Sequence, residues 1–179
     1  MRIERARFTD AVAIAAIYAH HVVHGTATWE LDPPSPAEMS ARIARTLDSG
    51  WPWLVARSEA GEVLGYAYAS QLNPRPGYLH ACENSIYVDH RRMGEGLGKA
   101  LLTALIEASE RAGFRQMVAL IAGTEPASIA LHTRAGFVHC GGLKSVGRKH
   151  GRWLDLIYMQ RALGQGDSAP PEREPTSEP

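Results

Sequence analysis

Along residues 2–8 apolar and polar side chains alternate one by one, the two-residue period of a half-buried strand. The period then lengthens: Ala11, Ile14, Ala15, Ile17 and Tyr18 fall on one face of a helix that Thr9 is placed to cap and that runs to about His24. Gly25 through Glu30 reads as a loop, leading into the breaker-rich Asp32-Pro33-Pro34-Ser35-Pro36. Ser35 opens a second helix, in which Met39, Ile43 and Leu47 recur at every fourth position before Gly50 stops it. Residues 53–57 and 63–70 predict an antiparallel hairpin turned by Glu59-Ala60-Gly61-Glu62. After the stiff Asn73-Pro74-Arg75-Pro76-Gly77 loop, residues 80–88 predict a strand and residues 97–112 an amphipathic helix with Leu97, Leu101, Leu102, Leu105 and Ile106 inward. Residues 116–121 form an apolar run of the kind buried on both faces, residues 126–134 a short helix ending at Gly136, and two last strands flank Lys149-His150-Gly151-Arg152.

Antiparallel strands first and a strand-helix-strand-helix-strand unit later place the fold in the α/β (α+β) class around one sheet. With 179 residues, 45% of them hydrophobic, the chain buries a core without disulfide or metal support, and one domain is expected. Residues 164–179 are rich in Pro, Glu and Ser without an apolar anchor, so the reading is a domain over 1–163 and a disordered tail over 164–179.

Nineteen basic residues balance nineteen acidic ones, which excludes the broad basic surface that draws proteins onto nucleic acid or anionic membranes. No run reaches the roughly 18 to 20 apolar residues of a membrane span, and Met1-Arg2-Ile3-Glu4 lacks the apolar stretch of a signal peptide, so a cytoplasmic protein is expected. Cys82 and Cys140 are far apart without a C-x-x-C pair and read as buried free thiols.

The strand-to-helix turn from Tyr87 to Lys99 carries Gly94, Gly96 and Gly98 at alternate positions. Glycines there let backbone approach a ligand, and the N–H groups of the next helical turn favour an anion, so a phosphate or pyrophosphate is expected. A P-loop is excluded because Met93 and Ala100 stand where Gly and Ser/Thr are needed. A dinucleotide fingerprint is incomplete, with Lys99 at its third glycine. What does match is R-x-x-G-x-G, Arg91 through Gly96, and here the sequence resembles the GNAT N-acetyltransferase superfamily, whose members use this turn for the pyrophosphate of acetyl-CoA. A second segment, Ser128-Ile129-Ala130-Leu131-His132 followed by Gly136-Phe137, is similar to the family's other cofactor motif, although Glu125 stands where the family usually has Asn and cannot donate an amide's hydrogen bond. The resemblance implies a GNAT fold, a central mixed, mostly antiparallel twisted sheet flanked by helices. It implies an acetyl-CoA site on Ile86, Tyr87, Val88, Arg91, Met93, Gly94, Glu95, Gly96, Leu97, Gly98, Lys99, Glu125 and Ser128, and no metal.

Ile17-Tyr18, His20 through Glu30, Glu83 through Val88, Leu131-His132 and Gly147 through Asp155 look like the phosphinothricin N-acetyltransferase branch, which includes methionine sulfoximine and sulfone acetyltransferases. That likeness implies acetylation of the α-amine of a small amino-acid analogue, and a homodimer. An amino-acid ammonium must lose a proton before it attacks a thioester, and Glu83 matches the branch's catalytic glutamate. A backbone N–H near Val88 would polarise the thioester carbonyl. His132 stands where many relatives place a thiolate-reprotonating tyrosine; general acid, helper in amine deprotonation, and packed structural histidine all remain open. Arg75 suits a substrate carboxylate or phosphinate; with Asn73, Pro74, Glu83, Asn84 and Ser85 it forms the expected substrate segment, walled by Trp29 and Tyr78. Acetylation of another small amine or a peptide N-terminus, and a non-catalytic acyl-CoA-binding module, are the alternatives. His20, His21 and His24 lack the H-E-x-x-H carboxylate of a zincin, and there is no G-x-S-x-G elbow for a hydrolase.

Overall fold

The computed structural model describes residues 1–123 and 125–176. Its elements in chain order are β1 (Arg2–Arg5), α1 (Ala11–His24), α2 (Pro36–Asp48), β2 (Trp53–Arg57), β3 (Val63–Gln71), β4 (Ala81–Val88), α3 (Leu97–Arg111), β5 (Gln116–Ala122), α4 (Pro126–Arg134), β6 (Val138–Lys149) and β7 (Arg152–Ala162). They build one mixed sheet in the order β1-β2-β3-β4-β5-β7-β6. All neighbours are antiparallel except β4 and β5.

Each helix buries the stripe its periodicity announces. Ala11, Ile14, Ala15, Ile17, Tyr18 and Val22 of α1 meet Met39 and Ile43 of α2 over Trp53, Val55, Tyr66 and Tyr87 on one sheet face. Leu97, Leu101, Leu102, Leu105 and Ile106 of α3 cover the other face over Ala67, Ala69, Cys82, Met117 and Ala119, with Ile129 and Leu131 of α4 beside them. Ser35 caps α2 as expected, its hydroxyl accepting from the Glu38 N–H at 3.2 Å.

Three expectations are corrected. β1 stops at Arg5, and a 3₁₀ turn at Phe8–Asp10 precedes α1, so Thr9 is not its cap. Asp10 stands at that position without a side-chain capping bond to α1; its carboxylate accepts instead from the Arg7 N–H at 2.9 Å and from the buried Arg57 guanidinium at 2.9 Å. Of the two thiols only Cys82 is buried; Cys140 is exposed on β6, whose outer position leaves it uncovered. Part of the segment read as a tail, residues 164–173, runs along the corner between α3 and β5. Leu163 is buried, Arg115 donates to the Pro170 carbonyl at 3.0 Å, and a His80 ring nitrogen donates to the Arg173 carbonyl at 2.7 Å. Residues 177–179 of that expectation lie outside the described residues.

Candidate active site

The sheet opens at one point. β4 and β5 pair only from Ala81↔Gln116 to Asn84↔Ala119, after which β4 continues to Val88 and β5 to Ala122 unpaired with each other. The β3 register decides which groups face the gap. Bonds at its two ends, Leu72 N–H to Ala81 O and Asp89 N–H to Leu64 O, put the odd-numbered positions of β4 in the β3 ladder. Even-numbered positions therefore turn their N–H and C=O the other way, and beyond Asn84 those of Ile86 and Val88 point into the wedge. That is an open strand edge on which an extended amide-bearing ligand can add.

At the wide end, α3 begins with Gly96 at φ 79°, and no side chain caps it. Gly94 is also left-handed, at φ 85°, and a Cβ at either glycine would meet nothing within 4 Å, so this backbone faces open space. The uncapped N–H groups of Leu97 and its successors fit a pyrophosphate. Arg91 lies beside this turn but is tied into it: its guanidinium grips Asp89 at 2.6 and 3.0 Å, and its N–H also donates to Asp89. The pairing holds the Asp89 carboxyl at about 2, and Arg92 pairs with Glu95 at 2.9 Å. Met93 and Lys99 are exposed. Gly98 packs toward Leu131 on α4, and the Tyr87 ring lies against Tyr18 on the opposite face.

At the closed end, Glu83 lies five residues before Val88, about 17 Å at strand rise. Its alternation with Tyr87 puts it on the α1/α2 face. Burial pushes its carboxyl up, and no hydrogen bond or ion pair among the described residues holds it ionised. Next to it the Ser85 hydroxyl bonds Tyr68, whose phenol also feels Glu83, Arg42 and Glu30. Glu30 is gripped by Arg42 at 2.6 and 3.1 Å and accepts from Tyr18 at 2.8 Å. Burial leads in pushing the Tyr18 hydroxyl to about 12.

Asn84 and His132 sit where the wedge closes. The Asn84 amide donates to Val118 O on β5 at 3.2 Å, and its oxygen faces His132 Nε2 at 3.0 Å. The other ring nitrogen faces Ser128 O at 2.8 Å, and the whole side chain is buried. Both partners are acceptors, which favours a doubly protonated ring, while burial dominates and lowers the pKa. Glu125, at the head of α4, accepts from the Thr26 hydroxyl at 2.6 Å. That bond ties the loop between α1 and α2 across the wedge. The same loop is pinned on its far side by buried Lys149, donating to Thr28 O at 2.8 Å, and by His150, donating to Gly25 O at 3.1 Å. Trp29 lies so close over Gly147 that any Cβ there would fall 1.9 Å from its ring.

Arg75, Asn73, Pro74 and Tyr78 occupy the loop entering β4, on the Glu83 side of the strand. Gln71 fixes the loop backbone by donating to Asn73 O at 2.7 Å and Arg75 O at 3.1 Å. The Arg75 side chain is exposed, as is Tyr78. Trp29 is held against Gly147 of β6. Sequence reasoning missed Arg42 and Lys149. Arg42 sits off the apolar stripe of α2, and its only local signal is Glu38 one turn earlier; Lys149 carried no signal of burial.

Residues 3–158 match the family model described as acetyltransferase (GNAT) domain. A phosphinothricin N-acetyltransferase of Alcaligenes faecalis is 47% identical over 93% of this chain and 84% of that protein. An L-methionine sulfoximine/L-methionine sulfone acetyltransferase of Pseudomonas aeruginosa is 43% identical over 94% of this chain and 98% of its own. The crystal structure of a GNAT superfamily phosphinothricin acetyltransferase from Sinorhizobium meliloti in complex with AcCoA has a TM-score of 0.94 at 44% identity, covering 99% of this chain and 96% of that one. With its split sheet, its uncapped glycine turn and this likeness along nearly its whole length, the chain belongs to the GNAT acetyltransferases, in the phosphinothricin and methionine sulfoximine acetyltransferase branch.

Proposed function

We propose that this chain transfers acetyl from acetyl-CoA to the α-amino group of a small amino-acid analogue of the phosphinothricin, methionine sulfoximine or methionine sulfone type. The observation that carries this reading is a half-buried Glu83, without a hydrogen-bond or ion-pair partner among the described residues, one residue from the point where the β4–β5 wedge closes. Acetyl-CoA supplies an activated thioester carbonyl. The α3 N-terminus and the glycine turn bind its pyrophosphate, and the open Ile86 and Val88 backbone groups order its amide arm along β4. The wedge N–H of Ile86, the one nearer Glu83, polarises the thioester carbonyl. Glu83 takes the ammonium proton and the freed amine nitrogen bonds the carbonyl carbon; as the C–S bond breaks, the second proton on that nitrogen passes to the departing sulfur, leaving the amide and the CoA thiol. Arg75 grips the substrate's anionic group.

The test is release of free thiol from acetyl-CoA with phosphinothricin, methionine sulfoximine, methionine sulfone, ordinary amino acids and short peptides. Turnover of the amino-acid analogues is expected; activity confined to peptides overturns the reading. Arg75→Ala should raise the KM of the analogue about tenfold and leave that of acetyl-CoA within about twofold. Equal effects on both would remove Arg75 from the substrate site.

We also place the protein in the cytoplasm, with its acetyl-CoA, and propose that it is a homodimer. Among the described residues no helix is long and apolar enough to cross a membrane. Dimerisation is supported by the outermost hairpin, where Val138, Val146 and Trp153 are half or more exposed and Leu143 nearly so. An apolar edge of this length is a pairing surface. Light scattering should give twice the chain mass, and Trp153→Glu should shift it toward the monomer. A monomer at every concentration of the parent protein argues against pairing.

A further inference from the structure

The paired histidines at the end of α1 bind no metal in the reading above, yet one of them reaches the wedge. His21 Nε2 lies 2.8 Å from the carbonyl oxygen of Val88. A carbonyl only accepts, so the imidazole donates. Val88 is the last residue of β4, and its carbonyl is one of the few backbone groups that the register turns into the gap rather than toward β3. We infer that His21 is a positioning residue for acetyl-CoA: by occupying the Val88 carbonyl it ends the exposed strand edge there and fixes the peptide that joins β4 to the pyrophosphate turn.

Three neighbouring contacts point the same way. The N–H of that same peptide, on Asp89, donates to Leu64 O of β3 at 2.9 Å, so the Val88–Asp89 peptide is held at both ends, by α1 on one side and β3 on the other. His20 stacks on His90 with ring centroids 3.6 Å apart and planes within 6°. His90 in turn lies 3.5 Å from the Asp89 carboxylate that Arg91 grips. The end of α1 is thus braced against the turn at two successive residues. The remaining wedge-facing groups, the Ile86 N–H and C=O and the Val88 N–H, are the ones an amide arm can use. A free Val88 carbonyl would offer that arm a second register, displaced two residues along β4, with the thioester misplaced relative to Glu83 by about 7 Å.

This inference rests on the reading that acetyl-CoA lies in the wedge, and the experiment separates the two. His21→Phe keeps a ring against Tyr87, 5.5 Å away in the parent, but cannot donate. His21→Gln places an amide N–H at about the reach of Nε2. Acetyl-CoA affinity is measured by calorimetry, and the KM of acetyl-CoA and of the amine by thiol release. His21→Phe should weaken acetyl-CoA binding and raise its KM about five- to tenfold, the worth of one hydrogen bond, with the amine KM unchanged. His21→Gln should recover to within about twofold of the parent. A parent protein that does not bind acetyl-CoA overturns the functional reading itself. If the parent binds but His21→Phe binds equally well, or if both variants lose affinity alike or fail to fold, the donor is not what matters and the His21 inference falls.

Discussion

Glu83→Gln is expected to lower kcat about 10²- to 10⁴-fold while acetyl-CoA affinity stays within about twofold, because it removes the base and keeps the shape of the strand. The same substitution should raise Tm at pH 8. Burial holds the Glu83 carboxyl above its ordinary 4.5, so the folded state favours the protonated form. Stability from such a raised carboxyl is present below about 4.5 and is lost as pH rises through the higher folded value. Above the raised folded value the parent carries an ionised, unpaired carboxylate that costs folding stability, and Gln does not. The gain in Tm should therefore close as pH falls toward 4. The catalytic profile carries the matching sign: the parent's acid limb sits above 4.5 and is absent from the residual activity of the variant. Unchanged turnover across pH would remove Glu83 from the chemistry. A lower Tm at pH 8 would mean that the carboxylate has a partner and is not poised as a base. This is the expected trade between activity and stability at a site kept ready for proton transfer.

What the sequence disclosed and what it withheld divide along the range of the interactions. The stripe Leu97, Leu101, Leu105 and the glycines at 94 and 96 are set by local geometry, and each lies where periodicity and turn chemistry put it. The wedge is different. It depends on β4 pairing β5 for four residues and then parting, a matter of two strands separated by a whole helix. The motif therefore located the glycine turn but not the orientation of each residue near it: the Tyr87 ring faces α1, and Gly98 lies close to Leu131 of α4. Lys149 carries no local sign of its burial beneath the loop it pins, more than a hundred residues away in sequence. Arg42 was invisible for the same reason, since its partner Glu30 belongs to a loop with no period. The bonds of His80 and Arg115 to backbone carbonyls of residues 173 and 170 were equally beyond composition, which registers only the absence of an apolar anchor there.

His132 is where geometry bears hardest on a role that sequence left open. A general acid has to reach the departing sulfur, and this ring is buried with both nitrogens engaged by Asn84 and Ser128. We propose that it positions the closing point of the wedge, coupling α4 to β4 and, through the Asn84 amide, to β5. His132→Leu should then destabilise the protein by about 2 to 4 kcal/mol, since it strands the Asn84 oxygen in the core. Burial depresses the folded pKa below 6.5, so the stability this histidine carries is present above about 6.5 and is lost as pH falls through the lowered value. The cost of His132→Leu is accordingly largest near pH 8 and shrinks toward pH 5. Asn84→Ala should lower Tm and kcat/KM in the same manner, and the double variant should lose clearly less than the two single losses added, because either change alone already breaks the shared bond. Proton donation predicts the opposite pattern: a basic limb in the parent's kcat profile that vanishes in His132→Leu, little change in Tm, and additive losses with Asn84→Ala. Observing that pattern would return the proton to His132 and require the ring to leave its present bonds during turnover.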